Sequence, residues 1–327
     1  MQSDPVVVVG SLVVDIVTQL PRWPQLGETM LGLQLDVFPG GKGLNQAVAA
    51  ARQGSRVTFV GQVGNDVFGT ILRNAVQSEG IANSYIRIAS DEGSGVGLPF
   101  VFPNGENAII LLPRANMSLS AKHIREARSA LELSRILLLQ FEIPDDACRE
   151  AARMVYGPGH TVILDPAPFR VLDPDLMEHV NILTPNQTEL ELLTGLSLPT
   201  PEAAMAAAPI ILRRYPRLDA LVATLGDQGT VVATAGRVVR IAPATVRAVD
   251  STAAGDAFNG ALAARLLQGD DIETACRFAS VAGALAATRL GALPSLPTAN
   301  DVERELFRMA QAMEGPGRRA KSGVKPR

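Results

Sequence analysis

The sequence predicts a doubly wound α/β protein with a mostly parallel sheet and a small second β-sheet. Three observations carry that expectation. Short, near-continuous apolar runs alternate with longer helix-compatible stretches, two regions rich in β-formers interrupt the alternation, and polar residues gather where the predicted strands end. Strands apolar along their whole length are what a parallel sheet requires, because helices cover both its faces.

The elements follow in order. Val6–Val9 opens the chain as a buried strand. Residues 12–38 then alternate β-formers with turn residues and contain no helical stretch. Residues 43–53 are helix-compatible, 57–60 read as a strand and 66–79 as an amphipathic helix. Residues 93–112 form the second interruption; within PFVFPNGENAIILLP the Pro-Asn-Gly triplet reads as a hairpin turn between extended runs. Together the two interruptions predict antiparallel strands forming a lid, drawn from about 12–38 and 93–113. Residues 121–133 and Asp145–Val155 read as helices; 136–139, 162–164, Ile182–Leu183 and 221–223 read as strands. One domain over residues 1–313 is expected, followed by a disordered basic tail, EGPGRRAKSGVKPR, at 314–327.

Composition excludes several classes. With 30 basic and 33 acidic side chains the net charge is -3, which leaves no excess positive field for a nucleic-acid backbone. No apolar run approaches the roughly 20 residues that cross a bilayer. The start, MQSDPVVVVGS, has no basic segment ahead of its apolar run, so it does not read as a secretory signal. The two cysteines, Cys148 and Cys276, are far apart and lack metal-ligand spacing. A reduced, soluble, cytoplasmic protein is the expectation.

The polar residues at strand ends are Asp15 beyond the first strand, Glu142 after RILLLQF, Asn186 after VNILTP, and Thr224 with Gly226 after ALVA. In open α/β sheets ligands bind outside the carboxyl ends of the strands, so these positions predict one site. In DSTAAGDAFNGALAARLL (250–267), Ala253, Ala254 and Gly255 permit a tight turn ahead of a strong helix. Unpaired N–H groups and the helix dipole make such a turn suitable for an anion. Asp256 there reads either as a helix cap or as a catalytic carboxylate; the turn and the strand-end cluster favour catalysis. In FPGGKGLNQAVAAARQG (38–54) Gly43 follows Lys42, where a P-loop needs Ser or Thr, so that reading fails. The segment is either a turn or a place where backbone approaches a polar ligand, with Asn45 offering donor and acceptor. Asn186 and Glu189 have the spacing of a capping box, and their strand-end position keeps a phosphate or Mg²⁺ role open. TLGDQG (224–229) reads as a turn or as part of that site. His123, His160 and His179 read as structural, and GSGVG at 93–97 lacks the setting of a dinucleotide fingerprint.

In order and spacing, GGKGLNQAVAAARQG, LPRANMSLS, NILTPNQTELELLTG and AVDSTAAGDAFNGAL resemble the ribokinase family of carbohydrate kinases, over about residues 6–297. The resemblance implies a three-layer α/β domain with a β-sheet lid through which dimers form. It implies transfer of the γ-phosphoryl group of ATP to the 5-hydroxyl of D-ribose or a related pentose, with Mg²⁺ on the phosphates. Asp256 would be the base and the N–H groups of 253–256 the anion hole. The sugar would meet Val13, Asp15, Gly41, Lys42, Gly43, Asn45 and Glu142. The nucleotide would meet Asn186, Thr224, Gly226, Gly229, Gly255 and Ser280, with Glu189 acting on Mg²⁺ indirectly. K⁺ would activate from beside the anion hole, held at Asp250, Thr252, Ala286, Arg289, Gly291 and Ser295, several through backbone carbonyls. Two departures stand out. Val13 replaces an Asn that would bond a sugar hydroxyl, so 2-deoxyribose is an alternative substrate. Pro113-Arg114 replaces small residues, and Arg114 either meets an acidic group or points to solvent, the latter favoured. A hexose kinase, a nucleoside kinase and a non-catalytic sugar-binding protein are the remaining alternatives.

Overall fold

The computed structural model describes residues 6–103 and 107–314. The centre of the expected Pro-Asn-Gly turn and nearly all of the basic tail therefore lie outside the described residues. The strands, in chain order, are β1 (Val6–Val9), β2 (Val13–Gln19), β3 (Gln34–Gly40), β4 (Val57–Gly64), β5 (Ala82–Ala89), β6 (Gly95–Val101), β7 (Asn107–Leu112), β8 (Ile136–Gln140), β9 (Thr161–Asp165), β10 (Ile182–Leu183), β11 (Ala220–Thr224), β12 (Thr230–Thr234) and β13 (Arg237–Ile241). The helices are α1 (Lys42–Arg52), α2 (Val67–Ser78), α3 (Ala121–Glu126), α4 (Arg128–Glu132), α5 (Asp145–Val155), α6 (Pro174–Met177), α7 (Gln187–Thr194), α8 (Pro201–Arg214), α9 (Ala254–Leu267), α10 (Ile272–Ala286) and α11 (Ala299–Glu314).

Nine strands form the large sheet in the order β13-β12-β11-β10-β9-β8-β1-β4-β5. All neighbours from β11 to β5 pair in parallel, and the β11-β12-β13 edge is antiparallel. β1 shows why its sequence has no polar position. Val6 and Val8 enter a core closed by α1, α2, α9, α10 and α11, whereas Val7 and Val9 enter a second core closed by α3 to α8. Each of the four is fully buried, contributing about 1.5–3 kcal/mol apiece. The three-layer architecture follows from this alternation.

The helices α1 and α9 meet closely at Gly260, where a Cβ would lie 2.4 Å from the Ala49 Cβ and 2.7 Å from the Gln46 carbonyl oxygen. That approach brings the first turns of both helices to the same edge of the sheet. Asp66 caps α2 by accepting from the Gly69 N–H at 2.7 Å. The stretch 121–133, expected as one helix, is two, broken at Ala127, whose φ of -90° and ψ of 13° leave the helical path.

The second sheet has the order β3-β2-β6-β7. Its outer pairs are antiparallel, but the central pair, β2 with β6, is parallel, which corrects the expected all-antiparallel lid. The physical reason is connectivity: β2 leaves β1 and β6 leaves β5, parallel strands of the large sheet that deliver the chain to the lid in the same direction. Leu31, Leu33, Leu35, Ile109 and Ile110 are exposed on this lid and the loop leading into it.

Candidate active site

Helix α9 begins with Ala253 in the left-handed region, at φ 59°. An alanine there costs roughly 1–2 kcal/mol, so tertiary contacts hold the turn. The Ala254 N–H donates to the Ser251 carbonyl at 3.2 Å, while those of Ala253, Gly255 and Asp256 have no acceptor among the described residues. A Cβ on Gly255 would meet nothing within 4 Å. The turn therefore faces open space with three donors at a helix N-terminus.

Asp256 is buried immediately beside this turn. Its Oδ2 accepts from the Asn45 side-chain amide at 2.9 Å and its Oδ1 from the Gln46 amide at 3.1 Å. The Lys42 Nζ lies 3.9 Å from Oδ1. A further carboxylate, Asp165 at the end of β9, accepts from the same Gln46 amide at 2.9 Å and lies 3.5 Å from Lys42 Nζ. Gln140 donates to the Gln46 Oε1 at 2.7 Å, which fixes which end of that amide faces the carboxylates. Burial, reinforced by the negative charges of Asp256 and Glu189, pushes Asp165 up to about 7 against the pull of Lys42. Burial disfavours the Lys42 ammonium, but the carboxylates of Asp165, Asp256, Glu142 and Glu189 outweigh it and hold that group above the ordinary lysine value.

The expected sugar-binding residues converge on the same centre. Val13 and Asp15, two apart on β2, share one face, and both lie against the missing side chain of Gly97. Added Cβ atoms at Gly40 and Gly97 would meet the Asp15 carboxylate at 2.3 and 2.1 Å. Asp15 thus sits on a lid strand rather than in a strand-end loop. Burial, followed by the charges of Glu142 and Asp256, pushes it up to about 7. Glu142 accepts from the Ser11 hydroxyl at 2.5 Å and from the Lys42 backbone N–H at 3.0 Å. Gly41 (φ 92°) and Gly43 turn out to be packing glycines: a Cβ at either would collide with Val13 or Ser11 backbone, at 2.9 and 2.5 Å.

A cleft of about 550 Å³ runs from Asp256 outward, lined by Lys42, Asn186, Thr188, Thr224, Gly226, Asp227, Ser251, Ala253 and Gly255 among others. Asn186 and Glu189 form a reciprocal capping box, each side chain accepting from the other's backbone N–H, at 2.9 and 2.8 Å. Burial raises Glu189 above the ordinary carboxylate range, against the lowering by the Asn186 N–H. Of the expected nucleotide contacts, Gly229 and Ser280 do not line the cleft. Gly229 (φ 97°) is a turn whose Cβ would strike the Ile241 carbonyl at 2.2 Å, and the Ser280 hydroxyl meets that of Thr230 at 3.1 Å and donates to the Cys276 carbonyl at 2.8 Å.

Residues 3–299 match the description of pfkB family carbohydrate kinases. A ribokinase of Haemophilus influenzae is 37% identical over 291 residues, spanning 89% of this chain and 94% of its own length. A deoxyribokinase of Salmonella typhimurium is 34% identical over 294 residues, spanning 90% and 95%. The solved structure of an Arabidopsis thaliana ribokinase complexed with ribose and ATP superimposes with a TM-score of 0.86 at 31% identity, covering 93% of this chain and 99% of the other. The chain belongs to the pfkB family of carbohydrate kinases. It is a sugar kinase of the ribokinase type, and its three-layer domain with a small accessory sheet is the family's fold.

In this kinase the segments expected around K⁺ are stitched together. The Asp250 carboxylate accepts from the Thr252 N–H and hydroxyl at 2.9 and 2.6 Å, and from the Gly291 N–H at 2.9 Å. The Val249 and Asp250 N–H groups donate to the Ala287 carbonyl at 2.8 and 3.1 Å. The Ala286 carbonyl accepts from the Arg289 N–H at 3.2 Å, and the Ser295 hydroxyl donates to the Ala292 carbonyl at 2.8 Å. The Arg289 guanidinium itself turns to Asp301, 4.0 Å away. Arg114 is exposed, but its guanidinium does not point freely to solvent as favoured: it lies over Gly93, donates to the Ser94 carbonyl at 3.1 Å, and its charge helps hold Asp66 below the usual carboxylate range. The histidine rings make backbone contacts, His123 at Ser120, His160 at Ser134 and His179 at Asp175.

Sequence reasoning missed Asp165, Gln46, Gln140 and Ser11. Asp165 had a usable signal, since it ends a strand as Thr224 does. Gln46 had none: a polar side chain next to Asn45 in a helix does not say which way it points.

Proposed function

We propose that this kinase transfers the γ-phosphoryl group of ATP to the 5-hydroxyl of D-ribose or a closely related pentose, with Asp256 as the base. One observation carries the reading. A buried carboxylate, oriented by two neutral amides, stands at a helix N-terminus whose Ala253, Gly255 and Asp256 N–H groups have no acceptor among the described residues. The turn supplies positive potential where phosphoryl charge develops, and Asp256 is placed to take the hydroxyl proton. Transfer is largely dissociative, so the proton leaves late and an ordinary carboxylate suffices. Asp15 and Glu142 would accept hydrogen bonds from sugar hydroxyls, and Asn45 would complete that end. The cleft lined by Asn186, Thr224 and Gly226 would take the nucleotide, and the solved relative bound to ribose and ATP supports both assignments.

Among the described residues no three Asp, Glu, His or Cys side chains converge to hold a metal unaided. Phosphate oxygens would then supply most of the Mg²⁺ ligands, as is usual at nucleotide sites, with Glu189 helping to organise it. Mg²⁺ so held would offset charge on the transferring group. The oxygen donors of Asp250, Thr252, Ala286, Arg289, Gly291 and Ser295 fit a hard cation such as K⁺ beside the α9 turn. The exposed apolar residues of the lid support a homodimer formed through it. No described helix is long and apolar enough to cross a membrane, and both cysteines are free and buried, which supports a cytoplasmic setting.

A second reading, 2-deoxyribose as substrate, is favoured by Val13, which brings an apolar side chain against Gly41 and Gly97 where the family carries Asn. The test is a coupled assay with Mg²⁺ and K⁺ comparing the two sugars by kcat/KM. Preference for ribose supports the first reading, preference for deoxyribose the second. Asp256→Asn is expected to abolish turnover while calorimetry still detects sugar binding; surviving turnover would refute the assignment of the base.

A further inference from the structure

We propose that Asp165 is a positioning residue for the base: it holds Lys42 and the Gln46 amide so that Asp256 stays free to accept the sugar's proton. The inference rests on Asp256 being that base. Asp165 does not line the cleft and makes no contact expected of a substrate ligand. It acts through two partners that it shares with Asp256.

The Lys42 ammonium is nearer Asp165 than Asp256, at 3.5 against 3.9 Å. A lone ammonium beside Asp256 would close on it and form an ion pair, which makes a carboxylate a poorer proton acceptor. Asp165 competes for that charge and draws it back. The Gln46 amide is shared in the same way, with 2.9 Å to Asp165 and 3.1 Å to Asp256. Its orientation is set by Gln140 from the opposite side. Each N–H of the amide can serve one carboxylate, so loss of Asp165 leaves half the bridge unanchored. The same centre is faced by Glu189 from α7, by Asp15 from β2 and by Glu142 beyond β8. Lys42 is the cation that Asp165, Asp256, Glu142 and Glu189 have in common, which is why the position of its charge matters.

Burial, opposed by Lys42 and reinforced by Asp256 and Glu189, pushes Asp165 up to about 7, so its charge develops as the pH rises through that region. The charged form is the one that restrains Lys42. Turnover should therefore rise with pH through about 7, and Asp165→Asn should fix the low-pH behaviour. The expected variant has kcat at pH 8 reduced about tenfold or more, nearly flat between pH 6 and 8, with the sugar KM changed less than about twofold. Stability moves the opposite way. The folded-state value lies above the unfolded one, so the stabilising effect of the neutral form is complete at low pH and lost as pH rises through about 7. At pH 8 the neutral asparagine should thus melt no lower than wild type while turning over more slowly.

The experiment measures kcat and KM from pH 6 to 9, with melting curves, for Asp165→Asn and Gln46→Met beside Asp256→Asn. Slower, pH-flat turnover with unchanged KM and undiminished melting temperature supports the proposal. A wild-type pH profile in Asp165→Asn, or parallel loss of kcat, KM and stability, overturns it. Should Asp165→Asn fail to fold, Gln46→Met decides, because it cuts the bridge and leaves Asp165 in place; wild-type kcat there also overturns the idea. Active Asp256→Asn would refute the base itself, whereas inactive Asp256→Asn with normal Asp165→Asn would refute only the positioning role.

Discussion

Replacing Gly260 with alanine separates packing from chemistry in this kinase. The new Cβ would lie 2.4 Å from the Ala49 Cβ, 2.7 Å from the Ala50 nitrogen and 2.7 Å from the Gln46 carbonyl oxygen. Carbon–carbon contacts settle near 3.5–4.0 Å, so roughly 1 Å of separation is needed. The obstructing atoms are helix backbone and a Cβ, none of which can rotate away. Overpacking of this kind costs about 1–3 kcal/mol, and the better helix propensity of alanine returns about 1 kcal/mol. A net loss between about 0 and 2 kcal/mol should lower Tm by at most a few degrees, roughly 2 °C per kcal/mol at this size. The effect on catalysis should be larger. Asn45 and Gln46 ride on α1 and Asp256 on α9, so 1 Å of separation (roughly the value just derived) stretches the bonds now at 2.9 and 3.1 Å beyond useful length. A misplacement of that order costs about 10²-fold in rate. Thermal melting and steady-state kcat on the same preparation check both numbers. A variant with wild-type kcat and wild-type melting would show that the two helices do not fix the base, and the reasoning would fail.

Two further perturbations probe other parts of the site. Burial, with the charges of Glu142 and Asp256, pushes Asp15 up to about 7, and only its charged form is a pure acceptor for sugar hydroxyls, so kcat/KM for sugar should fall up to about tenfold per pH unit below that value. Asp15→Asn should bind weakly and without that pH dependence; a pH-independent wild type would contradict the role. Arg52 joins α1 to Glu79 at 2.6 and 3.0 Å and to the carbonyls of Leu293 and Leu296 at 2.9 and 2.7 Å. Arg52→Ala should lose about 2–4 kcal/mol in urea denaturation, and a loss below the error of the extrapolation would show that these bonds are solvent-screened.

Much of this was legible before any coordinates. The strands of the parallel sheet were visible because each must be apolar on both faces, and Val6–Val9 has no polar residue to confuse the period. The place of Asp256 in the first turn of a helix was legible because that turn is built of small residues ahead of a strong helix. Capping by Asn186 and Glu189 was written in their spacing. Strand direction in the lid was not legible, because the parallel pairing of β2 with β6 depends on where β1 and β5 deliver the chain, not on local sequence. A glycine records that something comes close, and only the structure says that Gly41 and Gly43 pack against Val13 and Ser11. Gln46 and Asp165 stayed hidden because their partnership joins residues 119 apart.

Helix α1 explains why these features belong to one device. The lid strand β3 ends at Gly40 and α1 begins at Lys42, so a single residue links lid to helix. Within its first turn and a half α1 presents the Lys42 backbone to Glu142, the Lys42 side chain to Asp165, and Asn45 and Gln46 to Asp256. Its opposite ends of contact are both glycine: Gly43 lets it approach Ser11, and Gly260 lets α9 approach it. With no side chain at either contact to act as a cushion, α1 has little freedom to slide. Glu142, the base proposed at Asp256 and the lid are consequently referred to one rigid body. Orientation of Asp256 by neutral amides adds to this, since an amide fixes the carboxylate's direction without the full charge that would weaken it as a base.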